Sequence, residues 1–246
     1  MGAIASEPSP IGTAILDKFE RLQTLDRPAS SGLVDRARLV LAERRGKRPH
    51  REIFGAQGHQ YRRRSVGVAE IAALESRFDF TVPSELVGLW TVIGAGAGPY
   101  YGLFGPKEMA VELDDWADRG ASVGRTLDLR ADFPLAPLPQ GEERVQVVEG
   151  PSPGAIPIAH HGCTYWSVLV VAGDQRGRVW DLANYEGAEF QWAVAMRPIG
   201  SIFPNEELPP FVEPPTLLEW YEGWLDASLA SFPVRKSMPN LYMNWT

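Results

Sequence analysis

Residues 68–104 read VAEIAALESRFDFTVPSELVGLWTVIGAGAGPYYGLF, two helical periodicities in succession closed by a glycine-rich break. Val68, Ile71, Leu74 and Phe78 recur at spacings of three and four, which predicts a short helix with one apolar stripe. Leu86, Leu89, Trp90 and Ile93 repeat the pattern at i, i+3, i+4 and i+7. Pro83 stands just ahead, where a first helical turn tolerates its missing N–H. Gly94 to Pro99 stops the second helix, and Tyr100-Tyr101-Gly102-Leu103-Phe104 has the aromatic and apolar residues of a strand. The unit predicted is helix, turn, helix, glycine-rich loop, strand.

Further along, Pro106 to Arg119 predicts a helix entered through proline, with Met109, Leu113 and Trp116 inward. Residues 127–153 are rich in Pro, Gly and charge and lack a period, which predicts a long surface excursion. Three strands are expected at Ile156–Ala159, Tyr165–Ala172 and Arg178–Leu182, the last two joined through residues 173–177. Leu217, Trp220, Tyr221, Trp224 and Leu225 form an aromatic stripe on a closing helix that begins after Pro214-Pro215; packing explains the spacing better than a ligand cage does. Before the central unit, Ile11, Ile15, Phe19 and Leu22 mark one helical face. Leu33, Ala37, Val40 and Leu41 mark another, and a short Pro/Ser/Gly connection suits a helical hairpin. These elements predict an α+β fold: a mixed or antiparallel sheet of about five or six strands, helices packed against it, and an N-terminal helical extension added at an edge. The divisions expected are 1–52 for the extension, 53–232 for the domain and 233–246 for a C-terminal tail.

Charge is divided unevenly. Residues 1–66 hold 13 Lys/Arg against 7 Asp/Glu, a net of +6, whereas residues 67–246 hold 11 against 24, a net of −13. An acidic body repels nucleic acid and favours a cationic partner. The basic cluster Arg44, Arg45, Lys47, Arg48 and Arg51, with Arg62 to Arg64, has that body as an intramolecular counterweight, so docking of the leader is expected over nucleic-acid binding. No apolar run reaches the roughly 18 residues of a membrane helix, and the first residues lack the basic-then-apolar order of a secretion signal. A single cysteine, Cys163, excludes an internal disulfide and a cysteine zinc cluster. Cytoplasmic localisation, no membrane partner and no cofactor are the expectations.

Candidate chemistry is sparse. Gly94-x-Gly96-x-Gly98 follows a helix and continues with Pro99, so it reads as a helix stop, not a dinucleotide turn. His160, His161 and Cys163 could suggest a metal or a thiol–imidazole pair, yet neighbouring strand residues point to opposite faces. A buried or half-buried loop thiol is expected instead. The acid pairs Asp114/Asp115 and Glu206/Glu207 read as solvated carboxylates rather than a general acid and base.

Three phrases in order, VPSELVGLWTVIGAGAGPYYGLF, IPIAHHGCTYWSVLVVAGDQRGRVWDL and LLEWYEGWLD, together with an acidic helix centred on Glu75, closely resemble the SMI1/KNR4 family, or SUKH superfamily, over roughly two thirds of the chain. The resemblance implies a SUKH-like sheet and a non-enzymatic binding protein. Bacterial members look like immunity proteins of polymorphic toxin systems, which occlude the active site of a cognate toxin domain, often a nuclease with a basic cleft. On that reading carboxylates imitate substrate phosphates and aromatics anchor the contact. The toxin-binding residues expected are Tyr100, Tyr101, Asp114, Asp115 and Asp118, then Glu206 and Glu207; one of the two tyrosines falls in the core if they alternate on a strand. Competing readings are a regulatory scaffold like the fungal members, an enzyme using His160, His161 or Cys163, and a nucleic-acid binder using the basic leader.

Overall fold

The structure is a computed structural model that describes residues 10–26, 51–138, 145–150, 152–184, 189–198 and 211–236. In chain order the elements are α1 (Pro10–Leu25), a single turn α2 (Ala56–His59), α3 (Val68–Phe78), α4 (Ser84–Val92), α5 (Pro106–Ser122), β1 (Val145–Glu149), β2 (Ala155–Gly162), β3 (Tyr165–Val170), β4 (Val179–Ala183), β5 (Glu189–Val194) and α6 (Leu217–Lys236). The five strands form one antiparallel sheet in the order β1-β5-β4-β3-β2. The fold is therefore α+β. Among the described residues no helix is long and apolar enough to cross a membrane.

Local chemistry fixes the helix ends. Glu70 reaches back so that its Oε2 accepts the Gly67 N–H at 3.1 Å, and Glu108 does the same for Gly105 ahead of Pro106 at the start of α5. At α6, Thr216 Oγ1 accepts the Glu219 N–H while Glu219 Oε2 accepts the Thr216 N–H, a reciprocal capping box. Glu75 ties the end of α3 to the step into α4: its Oε1 accepts the Val82 N–H at 2.8 Å.

Register assigns the two faces of the sheet. Trp166, Leu182 and Trp192 stand in one row, with Val168, Trp180 and Phe190 on the same face. Against that face lie α5, whose Trp116 meets Phe190 edge-on, and Phe133, which packs edge-on to Trp180 and Trp192. Trp116, Trp180, Trp192, Trp220 and Trp224 are all fully buried. The expected stripes on α4, α5 and α6 all point inward, including Leu217, Trp220, Tyr221, Trp224 and Leu225. On α1, Ile15, Phe19 and Leu22 join the same core, and the helix packs on α6 and α4, not at a sheet edge.

Several expectations are corrected. Val68 is the first residue of α3, overhangs the core and stays 83% exposed. Tyr100 to Phe104 is not a strand: Tyr100 has φ +55°, the Gly102 N–H donates to the Pro99 carbonyl in a tight turn, and only Leu103 bridges to Ala159. The supposed excursion of 127–153 contains β1, and β5 follows a stretch in which no strand was expected. Helix α6 runs on to Lys236, past the expected start of the tail. The stripe Leu33 to Leu41, the basic residues Arg44 to Arg48, and Glu206 and Glu207 lie outside the described residues.

The glycine-rich loop is a packing device. Gly94 and Gly96 have φ of +88° and +102°, and a Cβ on either would press within 3 Å of the Arg64 or Arg62 carbonyl. Small residues there let the 62–64 backbone pair with the loop through reciprocal Arg64–Ala95 hydrogen bonds at 2.8 Å.

Candidate functional site

The second face of the sheet differs from the first. Here Ser167, Asp181, Ala193 and Val145 form one cross-strand row, and Tyr165, Ala183, Gln191 and Val147 form the next. At the β1 margin this face is open, with Val145 45% and Val147 58% exposed; Tyr165 on β3 and Met196, just past β5, are exposed as well. Val145 and Val147 share this face because they are two residues apart on an edge strand. Tyr101, 51% exposed, stands at the opposite margin, its amide donating to the His160 carbonyl of β2 at 3.2 Å and its ring beside Phe54.

Between the margins lies a polar line across three strands. His161 Nε2 is 2.7 Å from Ser167 Oγ, and Ser167 Oγ donates to Asp181 Oδ1 at 2.8 Å. The other carboxylate oxygen, Asp181 Oδ2, accepts the Met196 amide at 2.7 Å. Tyr100 lies flat on His161, ring centroids 3.6 Å apart and planes within 21°. Burial holds His161 down to about 3, with His160 nearby adding to the effect. Burial pushes Asp181 up to about 7 against the opposing hydrogen bonds from Met196 and Ser167. Burial, and next the charge of Asp181, raises the Tyr100 phenol well above its ordinary range.

Although the residue types are those of a hydrolase triad, the wiring is not. A nucleophilic serine must give its proton to the imidazole, with the carboxylate on the other ring nitrogen. In this cluster the Ser167 hydroxyl meets both Asp181 Oδ1 and His161 Nε2, the carboxylate lies 3.7 Å from that same Nε2, and Ser167 is fully buried. Nor do His160 and Cys163 form a thiol–imidazole pair, since His160 Nε2 lies 3.2 Å from the Cys163 carbonyl oxygen. Cys163 is exposed at the β2–β3 turn with φ +50°, which corrects the expectation of a buried or half-buried thiol. His160 packs edge-on to Trp166 while His161 turns to Ser167, so the histidines do diverge. Among the described residues no group of three or more His, Cys, Asp or Glu side chains is placed to hold a metal.

The residues expected to contact a partner are not brought into one patch. Tyr100 is buried at 5% exposure and serves the His161 stack, leaving Tyr101 as the exposed member of the pair. Asp114, Asp115 and Asp118 lie on α5, over the opposite face of the sheet. Asp114 takes both oxygens to Arg77 at 2.8 Å, and Asp115 pairs with Arg119 one turn on. Asp118 is exposed. A groove of about 320 Å³ between α3, α5 and residues 125–129 is lined by Arg77, Phe78, Ala117, Ala121 and Leu127. Asp79 and Thr126 also line it, with no histidine or cysteine among the lining residues.

Sequence reasoning missed Val145, Val147, Ser167, Asp181 and Met196. Ser167 and Asp181 carried one usable signal: each is a polar residue inside an apolar strand run, WSVLV and VWDLA. The open margin carried none, because β1 itself was hidden in a Pro/Gly-rich stretch. No protein-family model, curated protein or solved structure matches the chain.

Proposed function

We propose that this chain is a non-catalytic binding protein of the SMI1/KNR4 type: a cytoplasmic immunity protein that binds a basic cognate toxin domain and occludes its active site. The observation that carries the reading is the second face of the sheet, where Val145 and Val147 on β1 and Tyr165 on β3 are exposed, with Met196 exposed just past β5. Single exposed apolar residues are ordinary, whereas several on one sheet face favour a contact surface. Tyr101 supplies the kind of aromatic anchor that dominates interface energetics. The net charge of −13 over residues 67–246 favours fast capture of a cationic partner. Asp118 directs that approach from α5, and Asp114 and Asp115 contribute less because Arg77 and Arg119 already pair with them. Against an enzymatic role stands the placing of His161 and Asp181 on one and the same Ser167 hydroxyl, with Ser167 fully buried.

Variants test the contact directly. Tyr101→Ala and Val147→Asp should each weaken binding of the toxin domain by tenfold or more with the thermal midpoint unchanged. Unchanged affinity in both removes this face from the interface.

A further inference from the structure

The His161–Ser167–Asp181 line contains more acceptor capacity than protons, and that count dictates its behaviour. Ser167 has one hydroxyl proton and two neighbours able to take it, Asp181 Oδ1 at 2.8 Å and His161 Nε2 at 2.7 Å. An ionised Asp181 accepts only, so Ser167 must donate to it, and His161 completes the line by donating from a protonated Nε2. A protonated Asp181 donates from Oδ1 to Ser167, the hydroxyl turns to His161, and Nε2 must then be bare, with the ring proton on Nδ1. Asp181 Oδ2 accepts the Met196 amide in both arrangements.

We infer that this line is a buried proton switch, in which one proton bound at Asp181 reverses both hydrogen bonds of Ser167 and moves His161 from its Nε2–H to its Nδ1–H tautomer. The net change is uptake of one proton from solvent: Asp181 gains it, while His161 releases one at Nε2 and takes one at Nδ1. Solvent reaches the pair, since each side chain keeps 14% of its surface exposed. His161 stays neutral throughout because burial, and then His160, keeps its protonation near pH 3, and the switch point falls where burial places Asp181, at about 7. The titratable groups nearest the pair are the neighbouring His160, whose ring turns to the other face against Trp166, and the Tyr100 phenol, which burial keeps protonated.

The switch is joined to both margins of the open face. Asp181 holds the amide of exposed Met196. His161 carries the Tyr100 ring, and Tyr101 is the next residue in the same turn. The inference concerns the free chain and stands whether or not a toxin is the partner.

Uniform ¹⁵N labelling of the full chain, with the imidazoles read by long-range and the backbone amides by one-bond ¹H–¹⁵N correlation between pH 5 and 9, tests it. His161→Gln identifies the signals to follow. In the wild type the His161 pattern should pass from Nδ1–H to Nε2–H as pH rises through about 7, with the Met196 and Tyr101 amide shifts moving at the same midpoint. Asp181→Asn can accept from Met196 and donate to Ser167, so it should hold the Nδ1–H form at every pH. Ser167→Ala should abolish the pH-linked change. A wild-type His161 that keeps one tautomer across the range overturns the inference without recourse to any variant, as does the same transition persisting in Asp181→Asn.

Discussion

Trp90 joins the helical layer to the turn that bears Tyr101, so its replacement measures how firmly that turn is held. The side chain is 3% exposed, and its indole N–H donates 2.9 Å to the Phe104 carbonyl. Phe104 in turn donates its amide to Ile158 of β2 at 2.8 Å. Trp90→Ala removes the ring and opens a cavity, at a cost of about 3–5 kcal/mol. Trp90→Phe keeps most of the apolar volume but leaves the Phe104 carbonyl without this partner, which costs about 1–3 kcal/mol. Urea unfolding followed by far-ultraviolet circular dichroism separates the two. With a slope of about 1–3 kcal/mol per molar, Trp90→Ala should lower the midpoint by about 1 M or more and Trp90→Phe by a smaller, measurable step. Thr91 lies one residue on, exposed, with its hydroxyl turned back to the Val87 carbonyl; Thr91→Ala should change stability by less than about 0.5 kcal/mol. Midpoints equal to wild type for both Trp90 variants, or a large effect at Thr91, would mean that α4 presents a different face to the core.

Other outcomes follow from the same geometry. Gly102→Ala places a Cβ 1.9 Å from the Gly96 carbonyl oxygen at φ +111°, and should cost more than about 3 kcal/mol. Gly88→Ala, in mid-helix with nothing within 4 Å, should stabilise by about 0.5–1 kcal/mol; thermal melts of the pair would expose a wrong reading if both moved together. Phe19→Ala should cost about 3–5 kcal/mol, because Phe19 is fully buried against Tyr61 in the shared core; a neutral result in chemical denaturation would show α1 to be undocked. Asp181 titrates higher in the folded chain, at about 7, than its ordinary 3.8, so between those values the folded state binds the extra proton and stability falls as pH rises. His161 and His59, both lowered by burial, give the opposite slope, and the difference between wild type and Asp181→Asn isolates the carboxylate. From pH 5 to 8 wild type should lose about 2–3 kcal/mol relative to that variant. Parallel stability curves would refute the burial of Asp181.

The helices were legible because proline and glycine punctuate them and their apolar periods are clean: Pro83, Pro106 and Pro214-Pro215 mark entries, and Trp90, Trp116 and Trp224 fall on inward faces. Strands β2 to β4 were legible as apolar runs. Strand β1 was not, since VQVVE is short and flanked by charge and glycine, and β5 becomes a strand through its pairing with β1 and β4. Tyr100 misled because its aromatic side chain suits a strand, while the tight turn closed by Gly102 puts its backbone at positive φ and its ring on His161. The polar line was illegible for a different reason. Ser167 and Asp181 meet only through the β3–β4 register, and no local pattern announces a cross-strand pair.

The most direct test of the binding account is to read the genes beside this one, express any toxin domain encoded there and measure its affinity at two salt concentrations, with growth of toxin-expressing cells scored in parallel. The account predicts tight binding that weakens as salt rises, is lost in Tyr101→Ala and Val147→Asp, and restores growth. Absence of binding, or growth restored equally by those variants, would contradict it.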